Sequence, residues 1–332
     1  MSYIKSVLSK INFAVGNNPH LKHYPNETVK RFIPSPYKAV FILSTDFELA
    51  WAWRYAKNIA NLKEAIENYV QSSRKNVPLI LELCDHYKIP LTWAIVGHLF
   101  LDNCHRKKTL VHQNLRRIPY HRNNYWEFNA GDWFDDDPAT DWKSALQWYA
   151  PDLIKSILGA NTKHEIACHT FSHIDCRDGI CPEYVFKDEI NECVKIAREW
   201  GIQITSFVHP ANMIGNIKLL KEYSFNSYRD NSGNYLTFPQ QDKNGLWKFF
   251  STSELAFRKE WSTDYHIYRY CTIIKRAIEF NRLCYFWFHL STESEFLITI
   301  LENLFEFLSS NRKSIFVTTT KDYINFIENE KK

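Results

Sequence analysis

The sequence predicts an α/β fold built around a parallel sheet that is buried on both faces. Two observations support this prediction: short apolar runs alternate with longer stretches of helical spacing, and about seven such β units occur along the 332 residues. Strands that are apolar along their whole length need cover on both faces, and helices in the connections provide it. The pattern is typical of a (β/α) barrel or of an open doubly wound sheet. No internal repeat or low-complexity linker divides the chain, so we predict one elaborated domain.

Each element is predicted from its own run of residues. The runs with the apolar composition of strands are residues 39–45, 91–96, 165–168, 205–208, 246–250, 283–288 and 314–318. The stretches between them carry the spacing of amphipathic helices. These stretches are residues 58–86, 141–158, 182–200, 264–281, 293–309 and 322–330. Pro182 stands near the start of its helix, where a missing backbone N–H costs little.

Two regions interrupt the alternation of strands and helices. Residues 1–37 are predicted to form an irregular N-terminal arm, which leaves residues 38–330 as the single barrel-like domain. Within that domain, residues 102–140 form a long insertion that is rich in His, Arg, Asn, Asp and aromatic residues. A loop of this length inside a compact domain is often functional.

The aromatic residues of the insertion have two interpretations. Aromatic faces stack on sugar rings, and they also pack loops against a core. We predict that Trp126, Trp133 and Asp136 line or overhang a cleft and contact a sugar, while packing accounts for the larger share of the aromatic residues. The run Asp135 to Asp137 abuts Pro138, so a turn that caps the following helix is an alternative for these carboxylates.

Glycine content excludes several classes of enzyme. The chain has 9 glycines, and the closest pair, Gly233 and Gly245, is twelve residues apart. The glycine-rich dinucleotide fingerprint, the phosphate loop and the nucleophile elbow all need glycines that are closer together. A formal net charge of +4 gives no indication of nucleic-acid binding.

The rest of the composition predicts a cytoplasmic protein. No stretch approaches the roughly 20 apolar residues that a membrane span needs. The N-terminus does not have the pattern of a signal peptide, because Lys5 and Lys10 interrupt its apolar residues. The 8 cysteines include no Cys-x-x-Cys pair, and we expect reduced thiols. The oligomeric state stays open.

Acidic and imidazole side chains follow four of the predicted strands. They are Asp46 and Glu48 after the first strand, His169 and His173 after the third, His209 after the fourth and His289 after the sixth. In parallel α/β folds the carboxyl ends of the strands meet on one face, and that face holds the functional site. We therefore expect these side chains to share one cleft.

Each of these residues also has a structural alternative. His169 and His173 are four residues apart, which on a helix or tight turn places both imidazoles on one face, suitable for one zinc ion. Two unrelated polar residues at a helix start would give the same spacing. Asp46 and Glu48 point the same way from an extended segment, or lie in a solvated loop. His289 is a site residue or a core histidine bonded to backbone, and the structural interpretation is favoured for the turn at His209.

The order of these motifs resembles the polysaccharide deacetylases of carbohydrate esterase family 4. The segments that carry the resemblance are STDFE (44–48), HTFSH (169–173), SFVHP (206–210) and FWFH (286–289). The likeness runs from about residue 38 to 325, with residues 102–140 as an insertion. The family usually has two adjacent aspartates followed by Gly, and the D-x-E spacing of Asp46 and Glu48 resembles a variant subgroup. The third motif of the family has an Arg before a Pro, and Val208-His209-Pro210 has none.

The resemblance implies a distorted (β/α) barrel of about seven strands and metal-dependent hydrolysis of N-acetyl groups on sugars. It implies that Glu48, His169 and His173 hold a divalent metal, with zinc as the expected ion. Asp46 is then the general base and His289 the general acid. The implied substrate is a carbohydrate with an N-acylated amino sugar, in a glycan or in a precursor of a surface polysaccharide. His209 is placed among the substrate-binding residues.

Three functions remain open on the sequence alone. The first is a cytoplasmic sugar N-deacetylase or a related amide hydrolase. The second is a non-catalytic glycan-binding relative, which the missing Arg of the third motif favours. The third is a metal-dependent glycosyltransferase that uses Asp135 to Asp137, but this function leaves the histidines at the strand ends unexplained.

Overall fold

A computed structural model describes Val7 and residues 18–329, and at its centre lies one large curled sheet. The strands are β1 (His20–Leu21), β2 (Ala39–Phe47), β3 (Thr92–Ile95), β4 (His121–Arg122), β5 (Glu127–Phe128), β6 (Glu165–Cys168), β7 (Ser206–Val208), β8 (Ser227–Asp230), β9 (Tyr235–Leu236), β10 (Gln240–Gln241), β11 (Trp247–Phe250), β12 (Ser253–Glu254), β13 (Leu283–His289) and β14 (Ile315–Thr318). The α-helices are α1 (Asn26–Phe32), α2 (Leu62–Tyr87), α3 (Pro151–Gly159), α4 (Glu183–Glu199), α5 (Ile217–Glu222), α6 (Thr263–Phe280), α7 (Ser294–Ser310) and α8 (Thr320–Asn329).

The large sheet is an open barrel of parallel strands. Its order is β10-β11-β8-β7-β6-β3-β2-β13-β12, and β14 pairs with β2. Among the described residues every pairing in this sheet is parallel except that of β10 with β11. The edge strands β10 and β12 do not pair with each other, so the ring stays open. The predicted α/β fold of parallel strands is confirmed.

The central strand β2 explains where the first acidic residues lie. All 9 of its residues are buried, and both of its edges are paired, one with β13 and the other with β14 and β3. The strand is two residues longer than the apolar run indicated, and Asp46 is opposite His289 in the register with β13. The polar residues near the end of the strand, Ser44 to Asp46, therefore pair with β13 in the same backbone ladder as the apolar residues before them.

Two predicted helices begin later than their apolar spacing indicated. Helix α2 starts at Leu62 rather than at residue 58, because the Asn61 side chain caps it by accepting from Glu64 N at 3.4 Å. Helix α3 starts at Pro151 rather than at residue 141. The Asp141 carboxylate accepts from the backbone N–H of Lys143, which stabilises a turn in place of the first helical residues.

Several elements have no counterpart among the predicted ones. Two of them are the helix α5 and the strand β8, which lie between the fourth and fifth predicted strands. The sequence of β8, SYRD, has no apolar run, yet all four residues are buried between β7 and β11. Tertiary pairing rather than local pattern makes this segment a strand.

The described part of the arm, residues 18–37, is more ordered than expected. It contains β1, which pairs with β9, and α1. Phe32 of α1 stacks on Phe238 with ring centroids 4.8 Å apart, and Arg282 Nε donates to Lys22 O at 2.6 Å. The arm is therefore packed on the domain, and the boundary at residues 37 and 38 stays a prediction. Residues 1–6, 8–17 and 330–332 lie outside the described residues.

The insertion of residues 102–140 folds back on the barrel. It carries the short hairpin of β4 and β5, and most of its aromatic side chains are buried. Packing is the role of Phe128 and Phe134, as the alternative interpretation predicted. In the described part of the chain, no helix combines the length and the apolarity that crossing a membrane requires.

Candidate active site

One cleft of about 520 Å³ opens at the carboxyl ends of the parallel strands. Its polar lining is Asp46, Glu48, His173, Asn212, Arg229, Asn231, Glu254 and His289. Its aromatic lining is Trp53, Tyr125, Trp126 and Trp287. Volumes of roughly 300–1,000 Å³ with a few convergent polar groups are typical of small-molecule sites. The strand ends therefore meet, as predicted, at a cavity whose volume and polar groups suit the binding of a small molecule or of one unit of a larger one.

Glu48, His169 and His173 meet at one carboxylate oxygen at the base of this cleft. Glu48 Oε1 is 2.9 Å from His169 Nε2 and 3.0 Å from His173 Nε2, and all three residues are buried. Burial by itself would raise the pKa of Glu48, but His173 and His169 hold that pKa well below its ordinary value. The carboxylate is therefore ionised.

The two histidines reach this point from a bend rather than from a helix. Thr170 and His173 have φ angles of 58° and 59°, in the left-handed region that side chains other than glycine rarely adopt. Ile174 N donates to Thr170 Oγ1 at 3.2 Å, which helps to hold the bend. Of the two geometries predicted for the spacing of four residues, the structure has the tight turn. Strained backbone of this kind is common at functional sites.

The chemistry of these donors fits a divalent metal ion. His169 Nδ1 lies 2.7 Å from the Val208 carbonyl oxygen, which only accepts, so Nδ1 carries the proton. With Nδ1 as the donor, Nε2 is the nitrogen that can offer a lone pair to a cation shared with Glu48 Oε1. A backbone carbonyl that fixes the tautomer of a ligand histidine in this way is usual at metal sites. Two imidazoles and one carboxylate suit zinc and its neighbours in the first transition row.

Asp46 has a different partner, the guanidinium of Arg229. Arg229 Nη1 and Nη2 donate to the two carboxylate oxygens of Asp46 at 2.8 and 2.6 Å, and Nη1 also contacts Ser44 Oγ at 3.0 Å. Burial by itself would raise the pKa of Asp46, but Arg229 lowers it. Asp46 is thus an oriented, ionised carboxylate beside the three-residue cluster.

Arg229 also corrects the apparent loss of an arginine from the third motif. The segment Val208-His209-Pro210 has none, but Arg229 comes from β8, the strand that pairs with β7. Its guanidinium stacks over Trp287 at 4.5 Å, which fixes the plane of the bidentate contact. The arginine that orients Asp46 is therefore present on a neighbouring strand.

His289 lies beside the two acidic residues, with its ligand atom within 4.8 Å of those of Asp46 and Glu48. Its Nδ1 is 3.2 Å from Glu254 Oε1. Burial by itself would lower the pKa of His289, but the hydrogen bond to Glu254 and the charges of Glu48 and Asp46 raise it to about 9. With Nδ1 held by Glu254, Nε2 is the nitrogen that can meet a ligand. A protonated imidazole at neutral pH is suited to act as a proton donor.

The substrate-binding predictions divide between the cleft and its surroundings. Trp126 lines the cleft, and its ring makes an edge contact with His173 at 5.1 Å. Trp133, Asp136 and His209 do not line it, and these three predictions are corrected. His209 is buried, with Nε2 3.2 Å from the Gly215 carbonyl, because the loop after β7 turns its ring into the core. Asp136 borders a separate pocket that it shares with Arg54.

Trp133 instead supports the histidine bend from behind. Its Nε1 donates to Ser172 Oγ at 2.8 Å, and Ser172 donates to Glu189 Oε1 at 2.6 Å. Arg54 lies over the Trp133 ring at 4.2 Å and donates to the Ser172 carbonyl at 3.0 Å. Burial raises the pKa of Glu189 to about 7. This network holds the loop between His169 and His173.

Sequence reasoning missed seven polar or aromatic residues of the cleft. They are Trp53, Tyr125, Asn212, Arg229, Asn231, Glu254 and Trp287. Tyr125 and Trp287 adjoin residues that were recognised, Trp126 and the FWFH segment, so their proximity was available as a signal. Arg229 and Glu254 lie on short polar strands, and their positions depend on pairing with distant strands.

Several solved structures have a fold similar to that of this chain. A protein assigned as a polysaccharide deacetylase from Mycobacterium smegmatis matches with a TM-score of 0.61 and 13% identity, over 90% of this chain and 93% of that one. One from Pseudomonas aeruginosa PAO1 matches with a TM-score of 0.60 and 13% identity, over 96% and 97%. The Puue allantoinase matches with a TM-score of 0.61 and 13% identity, over 93% and 98%.

No family model matches the sequence, and no curated protein does. The chain has the fold of the polysaccharide deacetylases, as the order of its motifs predicted. The same fold also occurs in an allantoinase, so the fold alone does not identify the activity of this chain, which depends on the residues of the cleft.

Proposed function

We propose that the protein is a metal-dependent hydrolase that removes an N-acetyl or similar N-acyl group from an amino sugar. The observation that carries this proposal is one cleft with three functional parts. A carboxylate and two imidazoles can hold a metal, Asp46 is oriented by Arg229, and His289 is kept protonated by Glu254. Water attack on an amide needs electrophilic activation, a base and an acid, and the cleft has a group for each.

The proposed ligands are Glu48, His169 and His173. A divalent metal held there would polarise the acyl carbonyl and increase the acidity of water. Asp46, ionised beside Arg229, accepts the proton of the attacking water. His289 donates the proton on Nε2 to the departing amine nitrogen, so that the C–N bond breaks to give a carboxylate and a free amino sugar. The site has acid and base on separate side chains, each with its own partner.

The aromatic lining supports a sugar as the substrate. Trp53, Trp126 and Trp287 are half-buried or buried around the cleft, while Tyr125 is exposed at its mouth. Rings of this kind stack on the apolar faces of sugars, and an open groove admits a sugar that is part of a longer glycan. We include precursors of surface polysaccharides in the proposed substrate class, and a cytoplasmic location stays a prediction.

Two competing functions have less support. The glycosyltransferase depends on the run Asp135 to Asp137, but Asp135 accepts from Asp132 N at 2.6 Å and Asp137 is buried outside the cleft. The non-catalytic glycan-binding protein was favoured by the missing arginine, and Arg229 now makes the contact with Asp46 that such an arginine provides.

The test is acetate release by the purified full chain after loading with Zn²⁺. The substrates are N-acetylglucosamine oligosaccharides and a nucleotide-linked N-acetylglucosamine, and allantoin is assayed in parallel because an allantoinase shares the fold. We expect acetate release that a chelator abolishes and Zn²⁺ restores. Asp46→Asn is the matched control, since it changes one oxygen to nitrogen. Sugar binding without acetate release would favour the glycan-binding protein, and release that survives chelation would contradict the metal-dependent mechanism.

A further inference from the structure

A second cluster of metal-binding side chains lies outside the cleft, where the insertion meets the barrel. It consists of His98, Cys104, His112 and Asp137, whose ligand atoms all lie within 4.8 Å of one another. His98 follows β3, whereas the other three belong to the insertion. His98 and Asp137 have no exposed surface, Cys104 is 8% exposed and His112 is partly buried.

The four side chains converge on the Asp137 carboxylate. Its Oδ2 is 2.9 Å from His98 Nε2 and 3.0 Å from His112 Nε2. Cys104 Sγ lies 3.2 Å from both carboxylate oxygens. Tyr149 completes the surroundings, with its hydroxyl 3.0 Å from Asp137 Oδ1 and 2.9 Å from Cys104 Sγ.

The hydrogen bond on the far side of His98 determines which atom faces Asp137. His98 Nδ1 lies 3.1 Å from the Trp148 carbonyl oxygen, which only accepts, so Nδ1 carries the proton of the neutral ring. Nε2 then presents a lone pair to a carboxylate oxygen at 2.9 Å. His169 is held in the same way by Val208 at the cleft. A backbone carbonyl behind a ligand histidine is the usual arrangement at a metal site.

We propose that His98, Cys104, His112 and Asp137 bind a structural zinc ion. Two imidazoles, a thiolate and a carboxylate are four ligands of the kinds that zinc takes in closed tetrahedral sites. Ligands about 2.0–2.3 Å from zinc in a tetrahedron are about 3.3–3.7 Å apart, so the Asp137 contacts expand by a few tenths of an ångström on binding. The Tyr149 hydroxyl donates to the Asp137 oxygen or to the thiolate sulfur, as an outer partner of the ligands.

The position of the cluster gives the ion a role in shaping the cleft. Both imidazoles pack on the ring of Phe171, at 5.5 Å for His98 and 5.1 Å for His112. His98 N also donates to Phe171 O at 2.9 Å. Phe171 is the middle residue of the bend between His169 and His173. Zinc in the cluster would therefore join the insertion to the barrel directly behind the bend.

Cobalt substitution tests the proposal separately from the proposed function. A Co²⁺ ion bound by a thiolate has a near-ultraviolet charge-transfer band, and the cleft ligands Glu48, His169 and His173 include no sulfur. The full-length protein is stripped with a chelator, titrated with Co²⁺ and followed by absorption, and its zinc content as purified is measured by mass spectrometry. We expect the thiolate band in the wild type and in His169→Ala, with two zinc ions per chain in the wild type and one in His169→Ala.

Cysteine variants assign the band to one sulfur. Cys104→Ser should lose it, whereas Cys271→Ser should keep it, because Cys271 is a half-buried thiol on α6 outside the cluster. His112→Ala is the second variant, since His112 is partly exposed and its loss is easier for the fold to accommodate. A wild type that binds Co²⁺ without the band, or a Cys104→Ser protein that keeps it, overturns the proposal. Failure of the cleft to bind metal would leave the band intact and would affect the proposed function alone.

Discussion

The cleft and the insertion contain two clusters built from the same core, one carboxylate that meets two imidazoles. At the cleft, Glu48 Oε1 lies 2.9 and 3.0 Å from its two histidines, and at the insertion Asp137 Oδ2 lies 2.9 and 3.0 Å from its own. The difference is what occupies the remaining side. The first cluster opens on a cavity of about 520 Å³, whereas Cys104 and Tyr149 close the second.

This difference in openness suits two different roles for a metal bound by the same kinds of ligand. A metal with three protein ligands keeps a position for water and substrate, whereas a metal with four has none. The cleft also adds two polarised pairs beside its cluster, Asp46 with Arg229 and His289 with Glu254. Openness together with acid and base groups, rather than the donor set, is the basis on which we propose catalysis at one site and a structural role at the other.

The largest effect is expected from removing a cleft histidine. His169→Ala should reduce hydrolysis to the level of the metal-free protein, because the two remaining ligands, Glu48 and His173, are too few to hold the ion. The thiolate band of the Co²⁺-loaded insertion should persist. Metal content, acetate release and the Co²⁺ spectrum measure these outcomes. His86→Ala, an exposed imidazole on α2, is the control. Two zinc ions per chain in both His169→Ala and His173→Ala would contradict the proposed cleft site, and loss of the thiolate band from these variants would contradict the independence of the two sites.

The next effect concerns the base and its orienting arginine. Asp46→Asn should lower kcat by about 10²–10⁴ while the cleft keeps its metal, because a positioned base is lost. Arg229→Gln should cost about 10–100-fold, the usual worth of a residue that orients another. Arg229→Lys should not restore the rate, since an ammonium cannot make the bidentate contact. Circular dichroism checks that each variant is folded, and a wild-type rate for folded Arg229→Gln would show that the arginine has no part in the reaction.

The sequence predicted the framework of the cleft because that framework follows from strong local patterns. Asp46, Glu48, His169, His173 and His289 each come at or just after a run of buried residues, and the carboxyl ends of parallel strands meet. The same reasoning predicted the α/β fold. It did not predict that the sheet stays open, since closure depends on whether the edge strands pair.

Arg229 and Glu254 show where the patterns end. Their strands, SYRD and SE, are made of polar residues whose burial is set by β7, β11 and β13 rather than by local sequence. Trp133 and Asp136 are predicted to lie in the cleft because the insertion that contains them is rich in aromatic and acidic residues. Composition does not say which face of an insertion a side chain occupies, and Trp133 faces Ser172. The insertion cluster was also invisible, because its ligands come from four separated positions without a metal-binding motif.

A smaller effect is expected from the partner of the acid, and it concerns pH. His289 must be protonated to donate, so the rate should fall as pH rises through its pKa of about 9. Glu254 raises this pKa through its hydrogen bond, so Glu254→Gln should move the alkaline limb of the rate profile to lower pH and leave the rate at pH 6 almost unchanged. Profiles of kcat against pH for the two proteins measure the shift. An unchanged alkaline limb would mean that another group controls it.

The smallest effects distinguish the two tryptophans of the insertion, and a matched pair of substitutions separates them. Trp126 faces the cleft, so Trp126→Phe shortens a stacking surface and should raise KM for the sugar several-fold, equivalent to about 1 kcal/mol, with little change in stability. Trp133→Phe removes the donor to Ser172 Oγ, and a lost neutral hydrogen bond lowers the free energy of unfolding by about 1 kcal/mol. Its KM should stay near the wild-type value, because Ser172 keeps its bond to Glu189 and the bend keeps its shape. Urea unfolding and steady-state kinetics on both variants measure the two quantities. An increase in KM confined to Trp133→Phe would place that ring, and not Trp126, against the substrate.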